Sequence, residues 1–237
     1  SLSRPSTTVA VDQPFGIDFE WPDIDKALYM ERGDDAIKEA YLDPAMDQIA
    51  QEIDTRAALW AYQHSNNIVG VLGTDPTAFS TMNKARQRLV ELAGWTGKER
   101  GMIIPPAVNT ALVNTAVAYF SPAAEISRQF KEGSIGRNSG FDWYESMSLY
   151  SHTAGTAVTS VTVNGSGQSG TSINLTGTTG ETLKIGDVID IGDVYAVNPS
   201  TRRVTTKATK KQFVVQADVT FAASAATVSI LPGIAGP

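Results

Sequence analysis

The stretch from Lys131 to Thr156, KEGSIGRNSGFDWYESMSLYSHTAGT, joins two parts of the chain that differ in composition. Its glycines give the backbone the freedom that tight turns require. From Phe141 onward, every second residue belongs to a mixed, partly apolar face and the residues between them form a polar and aromatic face, which is the period of a β-strand. We therefore predict a strand in a partly covered sheet and place Phe141 and Trp143 in the core beneath helices. A core Trp143 implies that its replacement by alanine costs roughly 3 to 5 kcal/mol.

The chain before this stretch has the pattern of an α+β domain. Short extended segments interrupted by prolines come first. An Asp43-Pro44 pair then suits the N-cap and first position of a long helix, whose apolar residues recur at spacings of three and four until it ends near Tyr62 or His64. Helices that flank short strands are typical of this fold class. The further elements that we predict are a second helix from Thr77 to Ala93, a short buried strand over residues 102–104 and a third helix from Ala107 to Phe120.

After Ala154 the chain becomes rich in Thr, Ser, Gly and Val, and no Lys or Arg occurs between Arg137 and Lys184. Apolar residues alternate with polar ones in short runs that are separated by turn signals. Gly192-Asp193 suits a hairpin turn and Asn198-Pro199-Ser200 a second turn. Several short strands in sequence predict a small β-barrel or sandwich. The predicted strands are Ser172–Leu175, Val188–Ile191, Val194–Val197, Lys211–Ala217 and Thr227–Leu231.

Length and composition set limits on what the chain does. Its 237 residues suffice for two domains, and 42% hydrophobic against 19% charged residues indicate a folded chain. The absence of cysteine excludes disulfides and thiolate chemistry. The net charge of -6 argues against a surface built as a whole to bind nucleic acid. No apolar run approaches the roughly 20 residues of a membrane-spanning helix, so we expect no membrane partner.

Catalytic and metal-binding roles find little support in the sequence. His64 and His152 are the only histidines, and neither has a nearby residue that would complete an acid–base or nucleophilic site, so we interpret both as structural. Asp187, Asp190 and Asp193 form an acidic cluster whose carboxylates could hold calcium, but residues three apart in strands separated by turns do not converge on one point. Roles in turns and at solvent-facing positions are favoured for them. We therefore predict no catalytic residue, no cofactor and no metal site.

Two stretches resemble segments of the major capsid (coat) proteins of tailed bacteriophages, in the podovirus-type branch whose shell fold carries an inserted β-domain. The first has Gly-Ser-Ile-Gly at residues 133–136, Gly-Phe-Asp-Trp-Tyr-Glu-Ser at 140–146 and His-Thr-Ala-Gly at 152–155. The second, LKIGDVIDIGDVYAVNPSTRRVT at residues 183–205, is similar to the core hairpin of the inserted domain, with a Gly-Asp turn, a short strand, a tight turn and a Tyr-Ala-Val-Asn-Pro strand end. The order of these segments after two helices carries the resemblance, and we predict that Tyr195 is a core residue.

The resemblance implies a partial tailed-phage (Hong Kong 97-like) capsid fold of class α+β. Residues 1–152 would hold an extended arm or loop, a long spine helix and the peripheral domain, and residues 153–237 a small inserted antiparallel β-barrel domain. The family's axial domain would come after the last residue, so we expect that this chain is truncated and does not close a shell by itself. The implied function is that of a structural coat protein that assembles with itself into the icosahedral shell around phage DNA, without catalysis.

The implied partners are other capsid subunits, a scaffolding protein, a portal protein and packaged double-stranded DNA, in a virion assembled in the cytoplasm of the bacterial host. The alternative that the sequence leaves open is a β-rich surface or carbohydrate-binding module on an α+β scaffold. Such a module would expose a cluster of Trp or Tyr, yet the chain after Ser151 has no Trp and one Tyr. Assembly is therefore the leading hypothesis.

One basic run is a candidate contact surface for a neighbouring subunit. It lies between Val194 and Ala217, where no acidic residue occurs, while residues 1–60 hold thirteen Asp and Glu against five Lys and Arg. A contact with an acidic neighbouring subunit is one interpretation, because complementary charge patches steer association. A solvated loop and a contact with nucleic acid are the others, the last without aromatic residues in the run for base stacking. The residues of the run are Arg202, Arg203, Lys207, Lys210 and Lys211.

Overall fold

The computed structural model of the protein contains two compact units, Ser1–Arg56 and Ala57–Pro237, and the division falls inside the longest helix. Helices and sheets are mixed along the chain, so the fold class is α+β, as the sequence predicts. The predicted boundary between residues 152 and 153 stays a prediction, since the second unit includes both sides of it. The residues that the structure describes are 14–18, 38–71, 73–92, 100–116, 137–157, 161–204 and 209–234.

The long helix forms where its apolar spacing predicts it. A π-helical segment, Lys38–Leu42, leads into helix α1, Asp43–His64, so the helical geometry changes at the Asp43-Pro44 pair. Two contacts support the end of α1 that belongs to the first unit. Arg56 forms an ion pair of 2.7 Å with Glu52 one turn earlier, and its guanidinium carbon lies 4.6 Å from the centre of the Phe15 ring.

The second unit contains a small sheet that is covered by helices on one face. Strand β1 pairs parallel with β3, and β3 pairs antiparallel with β2. The predicted second and third helices are present, but residues 117–120 of the third lie outside the described residues. The elements are α2 (Phe79–Glu91), β1 (Gly101–Ile104), α3 (Pro106–Ala116), β2 (Arg137–Asn138) and β3 (Phe141–Glu145). Their shared core consists of Met82, Ile104, Val108 and Leu112, with Phe79, Met102, Val113 and Trp143 packed against it.

The aromatic strand ends at Glu145, which is itself exposed, so the predicted core face of the strand includes only Phe141 and Trp143. Phe141 is 2% exposed, while Trp143 is half-buried, lies edge-on to Phe79 and donates its indole N–H to the carbonyl oxygen of Asn138 at 3.2 Å. Met147, which the pattern places on the same face, is 87% exposed because the strand has already ended. The core face is therefore shorter than the sequence predicts.

Replacing Trp143 with alanine is expected to lower the free energy of unfolding by about 2 kcal/mol. This is less than the roughly 3 to 5 kcal/mol of a fully buried tryptophan, because the half-buried ring removes less apolar surface from water. Tyr144→Ala is the matched control: its side chain is 60% exposed, and we expect a change within about 0.5 kcal/mol. Urea denaturation followed by circular dichroism measures both, and equal effects would contradict the packing described here.

The β region, residues 161–204 and 209–234, surrounds a second core. Within it the order of the main sheet is β4-β5-β10-β8-β7, and β6 pairs with β9 beside it. Side chains from both groups of strands meet in the same core, so the region is a nearly closed barrel. The strands are β4 (Thr162–Val163), β5 (Gly170–Thr176), β6 (Thr182–Leu183), β7 (Val188–Tyr195), β8 (Lys210–Val215), β9 (Val219–Thr220) and β10 (Ala225–Ile234). The core side chains are Ile173, Leu175, Leu183, Phe213, Val215, Phe221, Val228 and Ile230.

Strand β7 differs from its prediction. Gly192 and Asp193 do not form a hairpin turn but lie within the strand, where the register against β8 shifts between Asp190 and Tyr195. Such an irregularity changes which side of the strand the following side chains occupy. Tyr195, predicted as a core residue, is accordingly 41% exposed, and the fully buried side chain is that of Ala196.

Candidate subunit-contact surface

The predicted basic run contains a tight, exposed turn. Asn198 builds this turn, because its side-chain oxygen accepts the backbone N–H groups of Ser200 and Thr201 at 2.9 and 3.1 Å. Its carbonyl oxygen also accepts the N–H of Arg202 at 2.8 Å, and Arg202 has a φ of 53°. Arg202 and Arg203 are both exposed at the end of this turn. The turn predicted from the Asn-Pro-Ser sequence is thus present, and it projects two cations into solvent.

Hydrogen bonds attach the basic run to helix α2. The side-chain amide of Asn198 donates to the carbonyl oxygen of Glu91 at 2.7 Å. Arg88 donates from Nη2 to the carbonyl oxygen of Lys210 at 3.2 Å and from Nε to the side-chain oxygen of Asn67 at 3.1 Å. Arg88, which sequence reasoning did not include, therefore belongs to the same surface.

The cations of the basic run and Arg88 differ in whether a carboxylate lies close to them. Lys210 lies 3.3 Å from Asp190, which is an exposed pair of small energetic value. Lys211 is half-buried, and its pKa is lowered by burial and then by the nearby charge of Arg88. Burial also lowers the pKa of Arg88, against the opposing effect of Glu91. Lys207 lies outside the described residues.

We use the name basic surface for Arg88, Arg202, Arg203 and Lys211. Within the part of the chain that the structure describes, neither Lys211 nor the two arginines of the turn has a carboxylate partner. Two exposed valines, Val197 (46%) and Val204 (52%), flank the turn and face each other as an antiparallel bridge. The basic surface therefore combines unpaired positive charge with exposed apolar area.

Helix α1 offers a surface of opposite charge. Asp43, Asp47 and Asp54 are spaced by four and seven residues, which places them on one face of a helix. All three are exposed, and none forms an ion pair with another described residue. We call these three residues the acidic row.

An apolar stripe runs next to the acidic row. Its largest members are Met46, Ile53 and Trp60, which are 63%, 51% and 63% exposed. The structure describes all 22 residues of α1, and none of them is buried. A helix with an apolar stripe normally buries that stripe, so the exposed stripe of α1 is unusual among the described residues.

A buried contact between a carboxylate and an imidazole lies where the junction meets the β region. The carboxylate of Asp187 is 9% exposed and lies 2.6 Å from Nε2 of His152. Its other oxygen accepts the backbone N–H groups of Gly155 at 3.1 Å and Lys184 at 2.7 Å. The carboxylate thus holds the junction segment against the strands. The two backbones approach so closely that a Cβ added to Gly155 would lie 2.2 Å from the carbonyl oxygen of Thr182. His152, for which the sequence shows no nearby partner, has one 35 residues away.

Tyr62 adds the end of helix α1 to this cluster. Its hydroxyl donates to the carbonyl oxygen of Gly186 at 3.2 Å, and its ring centre lies 5.3 Å from that of Tyr150 and 5.0 Å from that of His152. Burial raises the pKa of Tyr62 to about 12, with further contributions from the charges of Asp187 and Tyr150. The last turn of α1, the junction and the β region therefore meet at one set of side chains.

The raised pKa of Tyr62 predicts a loss of stability in alkaline solution. The folded chain keeps the phenolic proton where the unfolded chain has lost it, so the contribution is complete below pH 10 and is lost as the pH rises towards 12. Two pKa units correspond to about 2.7 kcal/mol, but the side chain is only partly buried, so we expect about 1 kcal/mol. Tyr62→Phe should flatten the dependence of the unfolding free energy on pH in this range. An equal slope for wild type and Tyr62→Phe would contradict the assignment.

The three aspartates weighed as a calcium site serve separate structural purposes. Asp187 binds His152, Asp190 pairs with Lys210, and Asp193 occupies the irregular part of β7 with a φ of 63°. Among the described residues, no group of three or more His, Asp or Glu side chains is arranged to hold a metal ion. The His152 ring bonds to Asp187 and, within the same part of the chain, to no serine or threonine hydroxyl.

His64 ends helix α1 as predicted for a terminal histidine. Its Nδ1 lies 2.9 Å from the carbonyl oxygen of Trp60, and its ring stacks on the indole at 4.4 Å between centres. Both histidines thus have structural contacts in the described part of the chain.

Comparison with known protein families and with curated protein sequences finds no match for this chain. None of the helices that the structure describes combines the length and the apolar character needed to cross a membrane.

Proposed function

We propose that this chain is part of a structural shell protein of the tailed-phage coat type, which assembles with copies of itself and performs no catalysis. The observation that carries the proposal is the surface of helix α1, whose 22 residues include no buried side chain and whose apolar stripe faces solvent. Isolated helices are marginally stable in water, so a long helix of this kind gains its stability from packing. In a self-assembling protein, a second copy supplies that packing.

The arrangement of the second unit supports the same proposal. A helix-covered sheet is followed by the junction, and the junction leads into a barrel-like β region with its own core. This is the order that the resemblance to coat proteins implies. As partners we propose further copies of the chain, a scaffolding protein and a portal protein, with double-stranded DNA enclosed in the virion.

Electron microscopy of the complete gene product, expressed with its scaffolding partner in a bacterial host, tests the proposal. We expect closed particles of uniform size. Met46→Gln combined with Ile53→Gln should reduce the yield of particles, because it makes the exposed apolar stripe polar. Val71→Gln is the matched control, since Val71 is 76% exposed and lies outside α1. A complete protein that stays monomeric under every assembly condition would contradict the shell function.

A further inference from the structure

We infer that the basic surface of one copy of this chain binds the acidic row of helix α1 in a second copy. This inference rests on the proposed function and names one contact by which it is carried out. The argument starts from Lys211, a half-buried ammonium group without a carboxylate partner among the described residues. A partly desolvated charge is unfavourable unless an opposite charge or a hydrogen-bond acceptor approaches it.

The positive charge of Arg88 makes the binding of an anion next to Lys211 more favourable. Its charge acts on Lys211, while two of its own N–H donors are already engaged by the Lys210 carbonyl and by Asn67. The partly buried guanidinium and the neighbouring ammonium group concentrate positive charge here, and Arg202 and Arg203 add two exposed cations. Carboxylates suit such a surface because charge-assisted hydrogen bonds to arginine and lysine are short and strong.

The acidic row has the matching properties. Asp43, Asp47 and Asp54 are exposed, unpaired within the described residues and arranged along one helix face. Both the acidic row and the basic surface have apolar area beside their charges. On α1 it is the stripe that includes Met46, and on the basic surface it is the two valines that flank the turn. A contact between them would pair the charges and remove apolar surface from water together.

A nucleic-acid phosphate is the competing anion for the basic surface. The chain as a whole carries a net charge of -6, and the basic run has no aromatic residue between Arg202 and Lys211. The apolar bridge of Val197 and Val204 beside the cations favours a protein helix over a phosphate backbone. The second copy of α1 is therefore the partner that the surface fits best.

Reversing charges on the two surfaces tests the contact. The base-reversed variant carries Arg202→Glu and Arg203→Glu, and the control variant carries Arg137→Glu and Lys184→Glu, which change the net charge equally at exposed pairs elsewhere. Sedimentation velocity over a series of concentrations at low salt is the measurement. We expect weak self-association of the wild-type chain that salt disperses, an association at least about tenfold weaker for the base-reversed variant, and no change of this size for the control.

A complementary variant makes the test specific. The acid-reversed chain carries Asp47→Lys and Asp54→Lys, leaves Asp43 at the start of α1 unchanged, and should also fail to self-associate. An equimolar mixture of the base-reversed and acid-reversed chains should associate again, because each then meets a surface of opposite charge. Circular dichroism melting of each variant shows that the loss is not due to unfolding. Lys211→Gln, which keeps the size of the side chain, should weaken the wild-type association with little change in melting.

Several outcomes would overturn the inference. They are a wild-type chain that does not associate at any concentration, reversals that leave association unchanged, or a mixture that does not recover it. Binding of a duplex DNA oligonucleotide by the wild type, lost in the base-reversed variant, would assign the surface to phosphate instead. If the complete protein with the base-reversed substitutions forms closed shells in wild-type yield, the inferred contact is contradicted but the shell function is not. If the complete wild-type protein forms no shells, the shell function itself is contradicted.

Discussion

Replacing Phe221 with alanine is expected to lower the free energy of unfolding of the β region by about 4 kcal/mol, within the range for fully buried aromatic residues. Phe221 is 1% exposed and belongs to the core that all parts of the barrel share. Its ring packs directly on Gly177, where an added Cβ would lie 3.0 Å from the ring. Gly177 has no side chain that can move into the vacated space, so the cavity would remain largely open.

Urea denaturation followed by circular dichroism at β-sheet wavelengths measures this effect. Val194→Ala is the control, because Val194 lies in the same region but is 36% exposed, and its loss should cost less than about 1 kcal/mol. A Phe221→Ala chain that unfolds at the same urea concentration as the wild type would contradict the described core.

Replacing Asp187 with alanine should have the second largest effect, a loss of about 3 kcal/mol. Removal of a buried carboxylate leaves the hydrogen-bond donors around it unsatisfied. Here the groups left without their acceptor are His152 and the backbone N–H groups of Gly155 and Lys184. The estimate lies at the low end for buried pairs because His152 keeps 20% of its side chain exposed.

Asp190→Ala is the matched control for Asp187→Ala. Both are aspartates next to or in strand β7 whose carboxylate contacts a basic side chain, but the Asp190–Lys210 pair is about half exposed on both sides. Its loss should cost less than about 1 kcal/mol. Equal losses of unfolding free energy for the two variants would show that the Asp187 carboxylate does not hold the junction.

Local patterns in the sequence predict much of the fold. The three-and-four spacing of apolar residues predicts α1 with its end near Tyr62 or His64, and the helix ends at His64. Alternation of apolar and polar residues identifies most strands of the β region. The failure at Tyr195 has a local cause that alternation cannot reveal, since the irregularity in β7 reverses which side chains face inward. The resemblance to coat proteins adds a function that remains our proposal.

The candidate contact surface is harder to predict from the sequence than the fold. The basic run itself is visible, but its attachment to Arg88 crosses 122 residues, and the link between His152 and Asp187 crosses 35. Contacts of this kind depend on how elements pack and leave no local signal. The acidic row could have been predicted, because Asp43, Asp47 and Asp54 share one face of a helix that the sequence predicts.

The place of β10 in the sheet has a consequence for how the chain folds during its synthesis. Strand β10, Ala225–Ile234, lies between β5 and β8 and is the last of the three to leave the ribosome. Until it arrives, the facing edges of β5 and β8 have no partner in this sheet order, and unpaired edges can pair wrongly with other chains. The β region can therefore complete its hydrogen bonding only after residue 234 has been translated, so early interruption of translation exposes this protein to aggregation.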